Sequence, residues 1–143
     1  MRCSWRSRAS RLPDGRGREV GSAVAEFAMV SVLLLVLAMG VFQLGLVLYV
    51  RNSLIAAASE GARNGARADA TPADGADRTV SLITSSLSAA FAEDVSAQER
   101  TVGGARVVEV TVTAPIPVIG LIGPSGSMTV TGRAFSETQV GAG

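Results

Sequence analysis

The chain contains no lysine, no histidine and a single cysteine, Cys3, and its aromatics are four Phe, one Tyr and one Trp. Each absence excludes a kind of chemistry. Without His the usual general base, proton shuttle and commonest metal ligand are missing. Without Lys there is neither a Walker A phosphate loop nor a Schiff base. One cysteine cannot staple a domain to itself. Charged residues are only 17% of the chain against 48% apolar, which disfavours a disordered polar chain. With so few rings, the apolar mass is Ala, Val and Leu. A length of 143 residues leaves room for one small domain plus a targeting or membrane element.

What is present is unevenly distributed. All 13 basic residues are Arg, and six of them (Arg2, Arg6, Arg8, Arg11, Arg16 and Arg18) stand in the first 21 residues against only Asp14 and Glu19. Residues 27–50 then run without a charge between Glu26 and Arg51. At about 1.5 Å per residue they make a helix of roughly 36 Å, enough to cross a hydrocarbon core of about 30 Å with some tilt. The positive-inside rule places the Arg-rich N-terminus in the cytoplasm and residues 52–143 outside, with Tyr49 and Arg51 anchoring the outer end. The competing reading is a secretory signal peptide cut at Ala56-Ala57-Ala58, releasing a soluble domain from Ser59. Length argues against it, because signal apolar regions run about 7 to 15 residues.

Glu26 fits neither a plain anchor nor a signal peptide, since it puts a carboxylate at the mouth of the apolar run, directly before Phe27. Gly21 lies five residues earlier, with Ser22-Ala23-Val24-Ala25 between. A cut after Gly21 would leave the α-amine of Ser22 one helical turn from Glu26. In a bundle of such helices, a neighbour's ammonium could pair with that carboxylate, an attraction of about 4 kcal/mol at 4 Å and an effective dielectric near 20. Left without a partner, a buried carboxylate opposes assembly. The plain alternatives are a topology marker for Glu26 and a flexible hinge for Gly21. Gln43, a polar side chain within the run, either bonds between helices or is passively tolerated.

Gly21, four small residues, Glu26-Phe27 and a long apolar helix together resemble a type IV prepilin processing site. The continuation through Tyr49-Val50-Arg51 to Glu60-Gly61-Ala62-Arg63 resembles the TadE-like proteins, minor pseudopilins of the tight-adherence (Tad) pilus machinery; the likeness covers about residues 16–67. Mature type IV pilins often begin with Phe, and Ser22 departs from that habit. The resemblance implies a structural subunit in pilus assembly, not an enzyme, located in the bacterial inner membrane and cut between Gly21 and Ser22 by a prepilin peptidase. Glu26 and Phe27 would be its assembly determinant. Implied partners are the membrane, the peptidase, other pilins and pseudopilins, and the assembly platform. A rival reading keeps the helix without processing, as a single-pass adaptor or scaffold with an outer binding domain.

Beyond Arg51 the helix is expected to continue as a small-residue stalk over residues 52–67, since no Pro occurs until Pro72. Ala57, Gly61 and Gly65 fall at i, i+4 and i+8, so one helix face is nearly bare backbone and allows close packing. That face serves either as a seam between subunits or as a bed for the chain's own outer domain. Both stay open at this level.

The expected organisation is α+β and membrane-anchored: a leader (1–21, cleaved), a transmembrane helix (22–51), the stalk (52–67) and an outer domain (68–143) of one amphipathic helix and an antiparallel strand pair. Thr71-Pro72-Ala73-Asp74 fits a helix start, and Val80, Ile83, Leu87, Ala90 and Phe91 predict an amphipathic helix over about 79–92. After Gly103-Gly104 the period becomes two, with Val108, Val110 and Val112 on one side. Ser127 to Phe135 alternates again, with Met128, Val130, Gly132 and Ala134 on one face. The connection between them carries Ile116, Val118, Ile119, Leu121 and Ile122, which either cover the sheet against the helix or form an exposed patch.

No catalytic or cofactor constellation emerges. Gly123-Pro124-Ser125-Gly126 lacks the nucleophile-elbow spacing and reads as a turn. Asp69, Asp74 and Asp77 lack the spacing of a calcium loop and read as solvated charge. The one basic cluster is the leader, already explained by topology, so neither nucleic acid nor a small-molecule substrate is expected.

Overall fold

The structure, a computed structural model, describes residues 16–118 and 126–137. The leader up to residue 15, Ile119, Leu121, Ile122 and residues 123–125 of the expected turn lie outside the described residues. Contacts divide the chain into a unit ending at Gly40 and a unit from Val41 to Gly143.

Helix α1 runs from Arg16 to Gly65 without interruption. In the first unit it is apolar on every side from Phe27 onward and covered on none: Phe27, Met29, Leu33, Leu35 and Val36 are each more than half exposed. A helix greasy all round that buries nothing against the described residues suits a non-aqueous surrounding. By length and composition it is a candidate membrane span.

In the second unit α1 has two faces. Val41, Phe42, Leu44, Leu48 and Tyr49 are exposed, whereas Val50, Leu54, Ala57, Ala58 and Ala62 are buried. The helix expected to continue past Arg51 does so, and it ends where the Arg67 N–H bonds the Asn64 carbonyl three residues back, a tightening that uses one of the otherwise orphaned terminal acceptors.

Helix α2 spans Pro72–Ser86. It begins earlier than the periodicity from Val80 predicts because its start is set by a capping box. Thr71 accepts from the Asp74 N–H, while the Asp74 carboxylate accepts from the Thr71 N–H at 2.7 Å, and Pro72 fills the first helical position. It also ends earlier than expected. Ser85 and Ser86 turn their hydroxyls back onto the Leu82 carbonyl, offering the backbone an alternative to continued helix, and only a 3-10 turn at Ala89–Phe91 follows.

The sheet is antiparallel and three-stranded, in the order β1 (Asp94–Val102), β2 (Ala105–Pro115), β3 (Ser127–Phe135). The expected pair is present: Val108, Val110, Val112 and Ala114 stand opposite Ala134, Gly132, Val130 and Met128. The correction is the added strand β1, joined to β2 through Gly103 and Gly104, both at positive φ as a two-residue hairpin turn requires. β1 escaped the sequence reading because its DVSAQERTV has few apolar residues, and most of its positions are exposed.

The core lies between α1, α2 and the inner face of the sheet: Leu54, Ala58, Ala62, Ile83, Val110, Val112 and Val130. Gly132 makes this approach possible. A Cβ there would overlap the backbone of Ala58 and Ser59, so β3 lies directly on the α1 main chain.

Candidate functional site

The candidate positions of the sequence fall into two groups on α1. Gly21, Ser22, Glu26 and Phe27 form the first, and all four are exposed. A Cβ added at Gly21 would meet no described atom within 4 Å outside its own helix. Ser22 and Glu26, one turn apart, meet: the Ser22 hydroxyl donates to Glu26 Oε1 at 3.4 Å. This i, i+4 bond follows from helix geometry once both residues are helical. Phe27 is 75% exposed, so the aromatic ring beside the carboxylate stands on an open surface.

Ala57, Gly61 and Gly65 form the second group, and here the structure brings the residues against α2. A Cβ on Gly61 would overlap Thr79 Oγ1 and come within 2.5 Å of the Gly75 carbonyl; one on Gly65 would sit 3.0 Å from the Thr71 carbonyl. The answering face of α2 is equally spare. Gly75, Thr79 and Ile83 recur every four residues, and all three are buried. The Thr79 hydroxyl donates to the Gly75 carbonyl at 2.8 Å and lies 3.5 Å from the Ala57 carbonyl, so it is satisfied inside the crossing. In this chain the small-residue face is the bed for α2.

Outside that crossing, the outer face of the sheet carries a buried carboxylate. Glu109 is 6% exposed and lies between two guanidinium groups, Arg100 Nε at 3.0 Å from Oε1 and Arg133 Nε at 2.6 Å from Oε2. Register explains the arrangement, because Arg133 is directly opposite Glu109 on β3 and Arg100 diagonal to it on β1. Of the three aspartates considered for cation binding, Asp74 is used in the α2 cap, and Asp69 pairs with Arg67 at 3.2 Å. The Thr71 hydroxyl and backbone N–H bonds hold the Asp74 carboxyl below its ordinary value of 3.8. Among the described residues no group of three or more His, Cys, Asp or Glu could hold a metal ion.

Residues 21–63 match the family model for TadE-like protein. The match begins at Gly21 and carries Ser22, Glu26, Phe27, Ala57 and Gly61, so the TadE-like stretch lies wholly within α1 and agrees with the resemblance read from the residues. No curated protein and no solved structure matches the chain.

Three features escaped the sequence reading. Gly75 and Thr79 carry a detectable signal, a small residue repeated at four-residue spacing. Glu109 carries a weaker one, an acid at an otherwise valine-rich strand position. The partner of Gln43, the Pro117 carbonyl 74 residues away, has none.

Proposed function

We propose that this chain is a minor pseudopilin of TadE-like kind, a structural subunit and not an enzyme, made as a precursor and cut by a prepilin peptidase between Gly21 and Ser22. The observation that carries this reading is the start of the TadE-like match at Gly21, five residues before a lone carboxylate that opens an all-round apolar helix. Cutting there makes Ser22 the first residue of the helix. The new terminus adds an ammonium to the partial positive charge of unsatisfied N–H groups, all within about a turn of Glu26.

In a single chain Glu26 stays at the membrane edge, where it reaches headgroups. When helices bundle, the carboxylate moves into lower dielectric, and the ammonium of an adjacent subunit neutralises it. Registry follows, because an offset neighbour leaves Glu26 without its counter-charge. The exposed Phe27, Val30 and Leu34 then supply the apolar surface that such a bundle buries. The N-terminus is on the cytoplasmic side, where the peptidase acts, and the unit from Val41 onward includes the part outside the inner membrane. Further partners are the other pilins and pseudopilins and the assembly platform.

Mass spectrometry of the membrane-embedded protein from piliated cells tests the processing step. A chain beginning at Ser22 is expected; one retaining Met1 overturns the reading in favour of an unprocessed adaptor. Glu26→Gln tests the assembly step: membrane insertion stays intact and piliation falls. Normal piliation in that variant overturns the role given to Glu26.

A further inference from the structure

Gln43 lies inside the apolar run, and its side-chain amide donates to the Pro117 carbonyl at the base of the β2–β3 connection. The position of Gln43 along α1 fixes the depth of that contact. If the hydrocarbon slab of about 30 Å starts at Phe27, beside Glu26, it extends to about Leu46, and Gln43 is about 5 Å inside the far boundary. If the slab instead ends against Arg51, Gln43 is about 12 Å inside. Either register brings a segment that follows a β-strand to the level of the lipid.

Part of the local backbone suits that depth. Non-helical chain survives near hydrocarbon only where its polar groups are satisfied within the protein. Pro115 and Pro117 have no N–H to satisfy. The Ile116 N–H donates to the Gly126 carbonyl at 3.0 Å, and the Pro117 carbonyl takes the Gln43 amide. The side chains on this backbone are Ile116 and Val118, the latter 41% exposed, and the neighbouring α1 surface is Phe42 and Leu44, both more exposed still. Charged residues are absent from 107–118 apart from Glu109, which pairs with arginines on the outer face of the sheet.

We propose that Ile116–Val118 is a second membrane contact, seated in the bilayer that α1 crosses at the C-terminal end of the span, with lipid acyl chains as its occupant. Gln43 is the clamp that makes this possible: the Gln43–Pro117 bond removes an amide and a carbonyl from competition with water in one step. The proposal rests on α1 spanning the membrane and is independent of processing at Gly21.

The test uses the full chain in lipid nanodiscs, which expose both faces, with Cys3→Ser so that each label reports one position. Val118→Cys carries an environment-sensitive fluorophore; Val36→Cys, within the apolar run, and Thr131→Cys, on the outer face of the sheet, are the references. Spin-labelled lipids are expected to quench Val118→Cys and Val36→Cys but not Thr131→Cys. A membrane-impermeant maleimide is expected to label Val118→Cys about tenfold more slowly than Thr131→Cys, as exclusion of water at the boundary requires. Quenching at Val36→Cys without quenching at Val118→Cys overturns the lipid contact, whether Val118→Cys labels quickly or is shielded by protein. Loss of quenching at both positions defeats the spanning reading itself and the present proposal with it.

Discussion

At the scale of single residues, the chain relies on side chains that are small or absent. Gly132, Gly61 and Gly65 let backbone rest on backbone, and each position would place an added Cβ inside a neighbour's contact distance. Charge acts locally beside them. The lowered pKa of Asp74 comes first from the Thr71 hydroxyl bond and then from the Thr71 N–H bond. A carboxyl whose folded pKa lies below its unfolded one stabilises the fold above the unfolded value and ceases to do so as pH falls through the folded value. Acid titration followed by far-UV circular dichroism is therefore expected to loosen the start of α2 below the ordinary carboxylate value of 3.8. Asp74→Asn removes that step and lowers stability at neutral pH, and Thr71→Ala costs about 1 kcal/mol at neutral pH, as loss of an N-cap typically does. An unchanged acid profile in Asp74→Asn would contradict this account of the cap.

At the scale of elements, the sheet is held by unlike devices on its two faces. The inner face packs Val110, Val112 and Val130 against α1, and dispersion and burial do the work. The outer face ties all three strands through Glu109, whose carboxylate meets Arg100 from β1 and Arg133 from β3. Both guanidinium groups are more than half exposed, so each bond alone is discounted by solvent screening, to about 1 kcal/mol or less for Arg100→Ala or Arg133→Ala. Removing both leaves a carboxylate with 8% side-chain exposure beside neither guanidinium. The double variant is thus expected to lose more stability than the two single losses added, measured as coupling in a double-mutant cycle by urea denaturation. Additive losses would mean that the two arginines act independently and that Glu109 does not couple the three strands.

At the scale of the whole molecule, α1 belongs to two environments. Its first part offers an apolar surface with no cover of its own, and its last part is a wall of the folded unit that begins at Val41. A short helix and three strands bury little by themselves. The C-terminal part of α1 supplies Val50, Leu54, Ala57, Ala58 and Ala62, half of the buried apolar cluster. A fragment of residues 68–143 is expected to lack cooperative thermal unfolding, whereas residues 41–143, kept in mild detergent for Phe42 and Leu44, retain it. Cooperative unfolding of the shorter fragment, by circular dichroism and dispersed amide resonances, would show the stalk to be dispensable.

The long apolar helix, the carboxylate that opens its uncharged run and the Val/Thr strand pair were legible in the residues, because each is a pattern of near neighbours: an uncharged run, a charge beside it, an alternation of two. The α2 cap was legible in the same way, though its consequence for the helix boundaries was not, since hydroxyls at Ser85 and Ser86 compete with the ladder only once the chain has turned. Strand β1 was hidden because an edge strand half in water needs little apolar pattern. What the sequence alone left open was the use of the small-residue face and the reach of Gln43. Tertiary structure decided both. A glycine face records that something comes close without recording what, and only the folded chain brings Gly75 and Thr79 to Gly61, or the Pro117 carbonyl to an amide 74 residues earlier.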